Sequence, residues 1–137
     1  MIKEKGQSLV ELAISLVIIM FLLSGVVEIG IASFQFIQLR DAVQEGALYG
    51  SIDPTRDIEA RVRGTSDSPL DLSSPDVEVL ISTESGVSLE NVCIEDGLIV
   101  EATYRHKVFM PFLSRLIGSE YIVLHAKVTD TILQPYC

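Results

Sequence analysis

The chain is 137 residues long with a mass of 15.0 kDa, room for one modest domain. Ten Lys and Arg stand against nineteen Asp and Glu, a formal net charge of −9 that phosphate backbones repel, which disfavours a nucleic-acid partner. Two cysteines cannot supply a four-thiolate zinc site, and no phosphate-loop, dinucleotide, HExxH or GxSxG motif is present, so neither an enzyme, nor a catalytic residue, nor a metal or other cofactor is expected. The mean hydropathy, +0.41, is high for a small soluble domain. It is concentrated in one block, Leu12 to Val27, without charge or proline.

Lys3 and Lys5 precede that block and place the N-terminus in the cytoplasm. The eight basic and sixteen acidic residues from Arg40 onward then lie on the far side, with about −8 of charge between them. A secretory signal would have an apolar core of about 7–15 residues. Here sixteen uncharged residues lead to Glu28 and a second apolar run, Ile29 to Phe34, and the small-residue site Gly30-Ile31-Ala32 lies beyond the carboxylate. A membrane anchor therefore fits better. Glu11, two residues into the apolar stretch from Leu9, refines that reading. A carboxylate in a spanning helix costs about 2.5–3.5 kcal/mol at the centre and less near an end, and such residues are commonly functional. The plain alternative is a side chain that snorkels to water.

Gly6-Gln7-Ser8-Leu9-Val10-Glu11 resembles the cleavage motif of type IV prepilins and pseudopilins. Together with Leu12-Ala13, Gly25-Val26-Val27-Glu28-Ile29-Gly30 and the run Gln38 to Ala47, it is similar to the TadE-like family, pseudopilins of the tight-adherence (Flp) pilus. The resemblance spans Gly6 to about Gly50. It implies a leader of residues 1–6, removed by a prepilin peptidase that cuts after Gly6, and a new amine on Gln7. Cleavage removes Lys3, Glu4 and Lys5, leaving that amine as the cation at this end. In a packed filament Glu11 of one subunit would pair with the Gln7 amine of a neighbour, since a lone carboxylate in apolar surroundings is costly. The chain departs from the family pattern at Ile31, where relatives often carry Arg, and at Gln7, where pilins often carry Phe.

From Gln7 to about residue 52 there is no proline, and Asp53-Pro54 ends the run. A bilayer core needs about 20 residues. Residues 9–28 supply them, so Glu28 falls near the outer interface, either as a headgroup-level carboxylate or as an assembly contact between subunits. Ile29, Ile31, Phe34, Phe36 and Ile37 then emerge from lipid and need protein cover, from the chain's own domain and from other subunits. Gly25 and Gly30 would permit close helix approach. Leu39, Ala42, Val43, Gly46 and Ala47 share one helix face and are read as core.

Residues 53–137 read as an extracytoplasmic α+β domain. Asp53 is expected to cap a short helix containing Ile58, Ala60 and Val62 and ending at Gly64. Thr65 to Pro75 reads as a loop. Strands are expected at Val77–Ser82, Leu98–Val108 and Tyr121–Leu133, with a helical turn after Pro111. The fold class is thus pilin-like α+β: a long N-terminal transmembrane helix continuing into a small antiparallel sheet. His106 and His125 fall on different strands and complete no ligand set. Glu95-Asp96 before Gly97 reads as turn chemistry. Cys93 and Cys137 lie on the exported side, where a disulfide is permitted. Such a bridge is worth about 4 kcal/mol in the chain-entropy model; free thiols or an intersubunit bond are the alternatives.

The resemblance implies a minor pseudopilin in the cytoplasmic (inner) membrane, single-pass, carried to the cell surface if it enters the pilus. Its partners would be the prepilin peptidase, other pilins and pseudopilins, the inner-membrane pilus platform and membrane lipid. A type II secretion pseudopilin is the nearest alternative. An uncleaved single-pass protein with an extracytoplasmic binding domain is a second, of a different class.

Overall fold

A computed structural model describes residues 3–65, 70–92 and 95–133. One helix, α1 (Lys3–Ile52), runs unbroken for 50 residues, about 75 Å at about 1.5 Å per residue. A short helix α2 (Ile58–Gly64) follows, then strands β1 (Val77–Thr83) and β2 (Gly97–Lys107), helix α3 (Pro111–Ile117) and strand β3 (Tyr121–Thr131). The strands form an antiparallel meander in the order β1-β2-β3. Val79 sits opposite Ala102, and Ala102 opposite Ala126. The architecture is α+β, as the patterning predicts.

One face of the sheet is laid on the C-terminal half of α1. Leu98, Val100, Ala102 and His106 of β2 point inward and are buried, and Ala126 of β3 and Val77 of β1 join them. They meet Leu39, Ala42, Val43 and Ala47, the helix face read as core. Two glycines let the elements close. A Cβ on Gly50 would stand 2.5 Å from Ile58 Cδ1 and 2.6 Å from Leu98 Cδ2, and one on Gly46 would overlap Val62. Gly25 and Gly30, by contrast, have nothing within 4 Å inside the subunit.

The start of α2 differs from expectation. Its cap is Asp57, whose Oδ1 accepts from the Ala60 amide at 2.9 Å. Asp53 instead closes the preceding turn, accepting from the Thr55 amide at 3.1 Å and from Arg56 Nε at 3.2 Å. Pro54 lies in that turn rather than at the first helical position, and Thr55, Arg56 and Asp57 follow it before Ile58 is seated in the core. The stretch read as loop carries Leu70 and Leu72, both fully buried, which tie it down. Cys93 and Cys137 lie outside the described residues.

Candidate processing and assembly site

The N-terminal half of α1 is bare. From Gly6 to Val27 every residue is exposed or half-exposed, and Glu28 is the first buried position. This helix holds a stretch long and apolar enough to cross a bilayer, of which only 6% is buried within the chain. A core helix of a water-soluble domain would be mostly buried, so bilayer lipid is the solvent this surface fits. Gly6, Gln7 and Glu11 lie at its N-terminal end, all exposed. The helix begins at Lys3, so the Gly6–Gln7 bond lies inside helical backbone. The Glu11 carboxylate has no side-chain partner among the described residues; its main-chain carbonyl accepts from Ser15 Oγ at 2.8 Å.

Glu28 is a different kind of carboxylate. It is 4% exposed and faces His106, itself 1% exposed, with Oε1 3.1 Å from Nε2. The same oxygen accepts from the Phe109 amide at 3.0 Å. The headgroup-level and intersubunit readings gave it external partners; here both of its hydrogen-bond partners belong to its own chain. Both contacts converge on Oε1, which answers the His106 ring nitrogen and the Phe109 amide. A buried carboxylate without its donors would cost several kcal/mol. It acts as a polar clasp between the top of the span and the end of β2.

The helix stripe that carries the clasp is continuous. Glu28, Ala32, Gln35, Leu39, Ala42 and Gly46 recur every three or four residues, and all are buried. The core face read from Leu39 onward therefore extends three turns toward the membrane, through Gln35 and Glu28. Extrapolating the 3.6-residue period back from Leu39 would have found both. Opposite Gln35, burial raises the Tyr104 phenol above its ordinary range, assisted by the negative charge of Asp76 and opposed by a hydrogen bond with Gln35. His125 lies on the other face of the sheet, 3.4 Å from Glu101 Oε2, so the two histidines share no site. Among the described residues no cluster of His, Cys, Asp or Glu is arranged to hold a metal ion.

Ile29, Phe34 and Ile37 remain exposed above the clasp. An apolar groove of about 430 Å³ runs there between α1 and β3, lined by Ile29, Ala32, Phe36, Ile37, Ile122 and Leu124.

Residues 6–48 match the family described as TadE-like protein. The match covers about a third of the chain and takes in Gly6, Gln7, Glu11 and Glu28. It ends before the sheet, so His106 and Phe109 lie outside the TadE-like segment. No curated protein and no solved structure matches the chain. The TadE-like family suggests an association with Tad pilus systems, and the long apolar helix at the N-terminus is consistent with a membrane-anchored component of such a system.

Proposed function

We propose that the protein is a minor pseudopilin of a Tad/Flp-type system, cut after Gly6 and built into the filament or its initiation complex. The observation that carries the reading is the TadE-like match, which starts at Gly6 and includes Glu11. Gly6 suits a cut site, because it is the poorest helix former on that turn, costing about 1 kcal/mol relative to alanine, and a peptidase needs extended backbone. Cleavage leaves the Gln7 amine to meet Glu11 of a neighbouring subunit. Among the described residues no side chain engages the Glu11 carboxylate, which suits it to that role. Glu28 serves assembly indirectly, by fixing the angle between helix and sheet. The apolar groove along Ile29 and Phe36 gives adjacent subunits a surface on which to pack once the span leaves lipid. The role is structural, without catalysis or cofactor, and the partners are a prepilin peptidase, sister pilins and the membrane platform.

Peptide mapping of the protein isolated from its own membranes tests the reading. An N-terminus at Gln7, lost in Gly6→Leu, supports it. A chain still starting at Met1 or Ile2 in cells with an active prepilin peptidase would exclude it in favour of an uncleaved anchored protein.

A further inference from the structure

The connection between β2 and β3 carries an unusual load of exposed apolar surface. Phe109 and Leu116 are each 73% exposed, Phe112 54% and Ile117 51%, all within nine residues. A water-facing connection of this length would bear polar side chains. Its position relative to α1 explains the composition. The Phe109 amide is tied to Glu28, at the top of the bare part of the helix. The Phe112 ring then packs edge-on against Phe21, with centroids 4.4 Å apart and planes at 88°. Phe21 lies seven residues before Glu28, about 10 Å further toward the N-terminus along the helix axis at about 1.5 Å per residue. The connection therefore descends beside the span instead of turning away from it.

We infer that α3 and its flanks form a second membrane contact, seated in the outer leaflet at the boundary between headgroups and acyl chains. The depth matches that of interfacial helices, which lie about 5–10 Å into this boundary. Phe109, Phe112, Leu116 and Ile117 supply the apolar face. Tyr121, half-exposed where β3 begins, is of the aromatic type favoured at that level. Charge agrees: in a chain of net −9, residues 107–119 contain Lys107 and Arg115 and no acidic residue before Glu120, a local balance suited to lipid phosphates. Gly118, at φ 74°, closes α3 in the left-handed conformation and turns the chain back toward β3. The protein would then hold the membrane by one spanning helix and one shallow wedge, which fixes the sheet's orientation over the lipid surface. The inference rests on α1 being a membrane span and is independent of processing at Gly6.

The chain contains no tryptophan, so single-tryptophan variants report without background. Full-length Leu116→Trp and Phe112→Trp, one copy per lipid nanodisc, are compared with Val17→Trp in the span and Val87→Trp at the far end of the sheet. In discs of phosphatidylcholine brominated at shallow acyl positions, the α3 reporters should emit at short wavelength and lose most of their intensity, while aqueous iodide has little effect. Val87→Trp should behave in the opposite way. Long-wavelength, iodide-quenched emission from both α3 reporters would overturn the inference. So would protection from both quenchers, which would mean that protein covers the face. Val17→Trp is read in discs brominated deep in the chains; its failure to quench would remove the span itself and the inference with it.

Discussion

Replacing Glu28 with leucine should detach the membrane-proximal end of the sheet from α1. The carboxylate answers two donors, His106 Nε2 at 3.1 Å and the Phe109 amide at 3.0 Å. Leucine answers neither, and each buried group left without a partner costs about 1–3 kcal/mol. Two such groups together cost about 2–6 kcal/mol. Glu28→Gln keeps an oxygen acceptor for both donors and should cost about 1 kcal/mol, the worth of one ordinary hydrogen bond. Glu28→Leu combined with His106→Leu removes the orphaned imidazole and should recover part of the loss, leaving the Phe109 amide unmatched. A coupling of about 0.5–3 kcal/mol between the two sites is expected from their direct contact. The assay is amide hydrogen exchange on the full chain in detergent micelles, read at Phe109 and at strand amides distant from the clasp. At about 1.4 kcal/mol per tenfold, a loss of about 3 kcal/mol should speed exchange of the Phe109 amide on the order of 100-fold. Glu28→Gln should change it by about tenfold or less. Unaltered exchange at Phe109 in Glu28→Leu would refute the clasp. So would a Gln variant as damaged as the Leu variant, since the argument depends on the acceptor and not on the residue's shape.

Three further outcomes are expected. Gly50→Ala places a methyl between Ile58 and Leu98, both fully buried and unable to withdraw, and should destabilise the domain by about 1–3 kcal/mol in chemical denaturation of the full chain; Gly30→Ala, with open space around it, should not. Asp96 is held below the ordinary carboxylate range first by the Ser85 hydroxyl, with help from the Gly97 and Ser85 amides. A depressed carboxylate stabilises the fold fully above its unfolded value and loses that contribution as pH falls through the folded one. Asp96→Asn should therefore lower the denaturation midpoint at neutral pH, and its deficit relative to wild type should shrink toward zero in acid; a deficit that grows on acidification would contradict this sign. Glu11→Ala should insert into the membrane and be processed normally yet fail to enter pili, as judged by immunoblots of sheared filaments against membrane fractions, and normal incorporation would remove its role.

Much of this protein is determined by local sequence. The apolar run from Leu9, the proline-free stretch to Ile52, the alternation in β2 and the turn residues at Gly97 and Gly118 specify one long helix and an antiparallel sheet, because each signal acts over a few neighbours. Gly6 to Glu11 is equally legible as a motif, since it is contiguous. What sequence alone left open are the contacts made across distance. Glu28 reads as an interfacial carboxylate until the sheet brings His106 against it from 78 positions away. His106 reads as one strand histidine among two until the register turns it toward α1 and His125 away. Leu70 and Leu72 read as loop residues because their partners lie on other elements. The depth of α3 beside Phe21 is set by the Glu28–Phe109 hydrogen bond and by the packing of two rings nearly a hundred residues apart in sequence. Periodicity states which faces are apolar, but only the folded chain decides whether such a face is covered by its own domain, by lipid or by another subunit.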